Sequence, residues 1–219
     1  MLRTQLDALM ADALRDRRLL DHPFYRRWEA GTLGRAELAA YAGQYRHFEE
    51  ALPAVLEAVV EALPPGRARQ VVQANLADER GVPAPHLELF DAFVDAVGGS
   101  THGAPTPRTA DLVGLYRELA RSAPAAALAA LAAYEVQAPH VAASKAQGLR
   151  ARYGIGADGT RFWEVHTDMD EQHGQWTLDA VASMSDDTSE VSGAARAAAD
   201  AWWAFLDERE AEAPLVATA

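Results

Sequence analysis

One stretch of this chain limits its fold more than any other: Pro124-Ala125-Ala126-Ala127-Leu128-Ala129-Ala130-Leu131-Ala132-Ala133-Tyr134-Glu135. It is rich in the best helix formers and apolar on every face. A helix of that kind must be surrounded by other elements rather than lie on a surface. It also carries Glu135, and a carboxylate on a buried helix needs a cation, a hydrogen-bond donor or a raised pKa.

The surrounding elements read as helices too. Leu6, Leu9, Met10 and Leu14 recur at three- and four-residue steps, which predicts a helix over residues 3–19. Proline and glycine punctuation predicts further helices over about 35–63, 67–80, 86–97, 108–121, 124–151, 160–184 and 188–210. The 124–151 helix should bend near Pro139, and Pro53 should kink the 35–63 helix. Asp21-His22-Pro23-Phe24-Tyr25 reads as a break, and residues 98–107 as the clearest loop. No alternating strand pattern and no solenoid repeat is visible. The expectation is all-α: seven to eight helices in one bundle, with residues 1–219 a single domain.

Composition narrows function. The chain has 219 residues and a formal net charge of −12, against a basic nucleic-acid surface and against docking on anionic membranes. No span, signal peptide or interdomain linker is visible, so the expected location is the cytoplasm. There is no cysteine, which excludes disulfides, thiolate nucleophiles and iron–sulfur clusters. A metal here would be held by nitrogen and oxygen, favouring iron, manganese or zinc.

His166, Asp170 and His173 lie four and three residues apart. On a helix they project within roughly 60° of one another. Glu79 and His86 flank Gly81-Val82-Pro83-Ala84-Pro85, so they should stand at a distorted junction between two helices. With Glu135 these make three carboxylates and three histidines, the ligand chemistry of a carboxylate-bridged metal pair. Glu49, Glu50, Glu57 and Glu61 read as a solvated face. Tyr41, Gln44 and His47 are candidates to line a central cavity, and Arg46, Arg80 and Arg161 to meet an anionic substrate. His22 and His140 read as structural and surface residues, and Trp202 and Trp203 as anchors of the last helix.

The order Glu79, His86, Glu135, His166, Asp170, His173 resembles the haem-oxygenase-like di-iron oxidases, over about residues 20–180. These share a fold with thiaminase-type proteins and the pyrroloquinoline-quinone synthase. His22-Pro23-Phe24-Tyr25, Tyr134-Glu135 and Lys145 are most similar to the branch of the chlamydial protein associating with death domains, implicated in making p-aminobenzoate from its own tyrosine. The resemblance implies two ferrous ions, or an iron–manganese pair, with dioxygen and a reductant as co-substrates and no organic cofactor site. Tyr25 would be the sacrificed tyrosine and Lys145 the nitrogen donor, with Tyr134 beside the metal ligand. Other members act on external amino acids or fatty acids, and a cofactorless oxidase of the quinone-synthase type is a further alternative. The expected substrate is a small molecule or part of the chain itself, and a homodimer is left open.

Overall fold

The computed structural model describes residues 1–81 and 84–212, apart from the side chains of residues 168–173. The elements are α1 (Arg3–Ala13), a 3₁₀ turn (Leu19–Asp21), α2 (Pro23–Ala30), α3 (Arg35–Ala62), α4 (Arg67–Glu79), α5 (His86–Val97), α6 (Pro107–Ser122), α7 (Pro124–Glu135), α8 (Ala138–Tyr153), α9 (Ala157–Met184) and α10 (Thr188–Ala211). The all-helical expectation holds, and no described residue lies in a strand. None of these helices is long and apolar enough to cross a membrane.

The ten α-helices among the described residues, rather than seven or eight, follow from two local effects. Pro23 was read as a stop, but it begins a helix. His22 caps α2 by accepting from Phe24 N–H at 3.1 Å, and Pro23 sits in the first turn, where its missing N–H costs nothing. Pro139 does more than bend the 124–151 helix. Its ring cannot donate to the Glu135 carbonyl four residues back, so the helix ends at Glu135 and a new one starts at Ala138. Pro53, by contrast, is carried inside an unbroken α3. The first helix ends at Ala13 rather than residue 19, and the Leu19 N–H beyond it is met instead by Gln137 Oε1 at 2.9 Å.

α7 is the enclosed element that its composition demands. Ala126 to Ala133 are all buried, and α3, α6, α9 and α10 pack around it. Close approach is achieved with glycine. A Cβ at Gly174 of α9 would lie 3.4 Å from the Glu135 carbonyl oxygen, so α9 rides directly on the α7–α8 junction. A Cβ at Gly148 of α8 would fall 2.8 Å from Trp28 Cδ1. Trp202 is fully buried against Phe48 and Tyr134, which makes it an internal anchor of α10 rather than an interface residue.

Gly148→Ala is a direct test of the α2–α8 contact. Alanine is the better helix former by about 1 kcal/mol. Overpacking against the Trp28 indole should outweigh this and destabilise the protein by about 1–3 kcal/mol. Chemical denaturation would measure it; a more stable variant would show that the two helices separate easily.

Candidate metal centre and the adjoining tyrosine–lysine cluster

The break between α4 and α5 places two polar side chains that an unbroken helix could not place. Glu79 is the last residue of α4 and His86 the first of α5. Their Oε1 and Nδ1 atoms lie 3.1 Å apart. His166 comes from α9, its ring centroid 4.6 Å from that of His86. Its Nδ1–H donates to the Phe162 carbonyl at 2.7 Å, which puts the ring's lone pair on Nε2. One donor atom from each of Glu79, His86 and His166 falls within 4.8 Å of the others.

Glu135 joins this group from α7. Its Oε1 accepts from Asn75 Nδ2 at 3.4 Å. A cavity of about 40 Å³ is lined by Glu49, Asn75, Glu79, Tyr134, Glu135 and His166, among others. Burial pushes the Glu135 carboxyl up to about 7; a hydrogen bond from Thr177 opposes the rise, and the charge of Glu79 adds to it.

The donor set fits a hard or borderline cation. Glu135 Oε2 is sealed from solvent with no hydrogen-bond partner among the described residues, and His86 Nδ1, equally sealed, faces Glu79 Oε1 at 3.1 Å without an aligned hydrogen bond. Buried polar atoms are seldom left this way, and each has the lone pair a metal ion would take. Asp170 and His173 fall within α9, but their side chains lie outside the described residues. Glu49 was read as solvated; it is 4% exposed and faces the cavity. The sequence held a signal for this, because Glu49 follows Tyr45 by four residues and so continues the buried stripe of α3.

A second cluster lies beside the first. Lys145 of α8 is 2% exposed. Its Nζ donates to Tyr41 Oη at 2.5 Å, and Tyr41 Oη is 2.8 Å from Tyr25 Oη. The amine is boxed by rings: its Nζ is 3.9 Å from the Trp163 centroid, 4.7 Å from Tyr25, 4.8 Å from Tyr45 and 5.1 Å from Tyr41. Burial holds the amine well below the usual lysine range, although the charge of Glu49 pulls the other way. Burial also raises the phenols of Tyr25, Tyr41 and Tyr45, so they hold their protons. Tyr45 hydroxyl meets Tyr134 hydroxyl in a short hydrogen bond. Contacts therefore run from Tyr25 through Tyr41, Lys145 and Tyr45 to Tyr134, the neighbour of Glu135. Tyr45 and Trp163 were not anticipated, since their importance depends on helices far apart in the chain.

Several other candidates take different roles. Arg46 is paired with Asp91 at 2.6 Å and Arg80 with Glu57 at 3.0 Å, so both cations are already engaged. Gln44 pins the loop, donating to the Ala104 carbonyl at 3.0 Å and accepting from Thr106 N–H at 2.8 Å. His22 is buried, with Nε2 3.1 Å from Asp207.

The carboxylates and histidines brought together on this helical frame could hold a metal ion. The chain belongs to the family of iron-containing redox enzymes, whose sequence profile matches residues 39–205. It is similar to a 4-aminobenzoate synthase of Nitrosomonas europaea, 37% identical over 212 residues, covering 89% of this chain and 86% of the relative. It is also similar to a 4-aminobenzoate synthase of Chlamydia muridarum, 30% identical, covering 93% of this chain and 87% of the relative. A domain from Shewanella denitrificans with a haem-oxygenase-like fold superimposes with a TM-score of 0.76. That match covers 97% of this chain and 93% of the other at 16% identity, and it speaks for the fold alone. The protein is thus an oxidoreductase of haem-oxygenase-like fold.

Protonation of Glu135 should be measurable. Its folded value of about 7 lies above its ordinary 4.5. Between these values the folded protein binds more protons than the unfolded chain. Stability of the metal-free protein therefore falls as pH rises through that window, by up to about 1.4 kcal/mol per pH unit from this group. Glu135→Gln should flatten that slope in urea titrations at pH 5–7; an unchanged slope would mean that Glu135 is solvated.

Proposed function

We propose that this protein is an oxygenase with two iron ions, or one iron and one manganese, that makes 4-aminobenzoate from its own Tyr25 and Lys145. Glu79, His86, Glu135, His166, Asp170 and His173 would hold the metals, with Glu49 beside them. When bound, the metals supply oxidising equivalents from dioxygen. The rest of the chemistry is arranged by the chain.

The observation that carries this reading is how little room the described residues leave beside the carboxylates. The cavity beside Glu79 and Glu135 holds about 40 Å³, enough for a few water-sized molecules. Pockets for organic ligands are about 300–1,000 Å³. An external amino acid or fatty acid would need a substantial rearrangement to enter, whereas Tyr25 and Lys145 are already inside. This favours the self-derived substrate over the external one.

The product's structure dictates which bonds change. 4-Aminobenzoate keeps a tyrosine's ring and the carbon attached to it. The Cα–Cβ bond of Tyr25 must therefore break, and Cβ must be oxidised to the carboxylate carbon, with dioxygen as the oxidant. The ring C–O bond is replaced by C–N, with the phenol oxygen leaving as water. The nitrogen is Nζ of Lys145, released from Cε, which is left as an aldehyde. Cα of Tyr25 takes a hydrogen and remains as a glycine residue, and two dioxygen molecules with two electrons from the reductant close the balance. A lysine serves here only as the free amine, and burial supplies that form. Tyr41 fixes both partners, accepting from Nζ and meeting the Tyr25 hydroxyl. Tyr45 and Trp163 close the box around the amine, and Tyr45 leads on to Tyr134, the neighbour of Glu135.

Intact-protein and peptide mass spectrometry would test this after incubation with ferrous iron, manganese, reductant and air. The expected result is mass loss at Tyr25 and a changed Lys145, with 4-aminobenzoate in the filtrate. Tyr25→Phe and Lys145→Met should abolish product while retaining bound iron. Tyr45→Phe keeps the ring but removes the contact with Tyr134, and should slow product formation by about tenfold, or 1.4 kcal/mol of barrier. An unchanged protein mass accompanied by turnover of an added amino acid or fatty acid would overturn the proposal.

A further inference from the structure

A second cavity, of about 400 Å³, lies between α1, the Leu19–Asp21 turn and the α7–α8 junction. Its size suits a small organic molecule. Leu14, Leu20, Val136 and Val141 supply apolar walls, and Arg18 and His140 supply polar groups. The other two polar residues are already engaged. Gln137 accepts from Leu19 N–H at 2.9 Å and donates to the Ala133 carbonyl at 3.2 Å. Asp21 is paired with Arg26 at 3.2 Å. The guanidinium of Arg18, in contrast, forms no hydrogen bond or ion pair with any described residue. An unanswered fork of donors beside an apolar slot suits a planar carboxylate on a hydrophobic body.

The cavity's position links it to the tyrosine–lysine cluster. Val141 is buried in its wall one helical turn before Lys145, about 6 Å along α8. Leu20, in the opposite wall, precedes the Leu19–Asp21 turn's exit into α2, which carries Tyr25. The slot thus adjoins the tyrosine–lysine cluster through Val141 on one side and the turn into α2 on the other.

We propose that this cavity is a binding site for a small aromatic monocarboxylate, with Arg18 taking the carboxylate and the leucine and valine walls taking the ring. On the proposed function, from which the identity of the occupant follows, it receives 4-aminobenzoate before release. The slot would reject a cation through Arg18, and it offers too few donors for a phosphate-bearing nucleotide.

The test is a titration on the Tyr25→Phe protein, which cannot fill the slot with its own product. Calorimetry or ligand-observed NMR would compare 4-aminobenzoate, benzoate and aniline. Both carboxylates should bind, and aniline at least about tenfold more weakly. Arg18→Gln should weaken both carboxylates by about tenfold and leave aniline unchanged, while Arg18→Lys should restore part of the loss. Arg18 is exposed, so unfolding curves matching the parent are expected and would confirm an intact fold. Equal binding of aniline, no binding of any probe, or no effect of Arg18→Gln would overturn the site. Failure of the self-consumption chemistry would instead appear in the mass of the native protein, which this titration does not read.

Discussion

The molecule is organised around carboxylates gathered inside a helical frame and largely withdrawn from solvent. Glu135 ends a helix whose other faces are alanine and leucine, and Glu49 continues the aromatic stripe of α3. An isolated buried carboxylate is costly enough to take up a proton, and Glu135 shows this tendency in its raised pKa. Glu79 adds like charge from the end of α4. Such an arrangement is poor design for stability alone. It would become favourable were a cation to answer the negative charge, with His86 and His166 offering it nitrogen donors. The helix interruptions serve the same end. Ending α4 at Glu79 and starting α5 at His86 aims both side chains into one space.

Burial has the opposite use in the neighbouring cluster. There it removes charge from a lysine and keeps tyrosines protonated. The faces of four aromatic rings would attract an ammonium, but without a contacting carboxylate burial outweighs that attraction. The outcome is an amine with a free lone pair beside a phenol, in a compartment closed to solvent. Tyr45 and Tyr134 join the two environments through their hydroxyls. On the proposed chemistry, oxidation at the carboxylate side would be kept apart from the groups consumed, with Tyr45 and Tyr134 as the link between them.

Local signals in the chain revealed part of this. Glu135 stood out because one acidic residue interrupts an apolar helix, and the 79–86 break stood out because its prolines and glycine forbid continuation. Tyr25, Tyr134 and Lys145 were marked by family resemblance rather than by periodicity. Glu49 was misread because acidic neighbours at Glu50, Glu57 and Glu61 suggested one solvated face. Tyr45 and Trp163 matter because α3, α8 and α9 meet, and no local pattern records that meeting. The split at Gln137 was underestimated because alanine on both sides favours helix, while the decisive effect is one missing N–H at Pro139. His166 was legible from its spacing to Asp170 and His173, whose side chains lie outside the described residues.

An enzyme that consumes a core residue ties its chemistry to its stability. The Tyr25 ring packs against Phe24, Trp28 and Tyr41 and is 2% exposed. Losing a ring of that size from a close-packed site costs about 3–5 kcal/mol. That is a large share of the roughly 5–15 kcal/mol that stabilises an ordinary domain. On the proposed chemistry, the spent protein would therefore have weakened packing between α2 and α8, where Trp28 also donates to the Lys145 carbonyl at 3.3 Å. The loosened contact lies beside Val141, the wall shared with the Arg18 slot. The same event that forms the aromatic acid would then ease its passage outward, and a catalyst used once has no need to restore the packing it gives up.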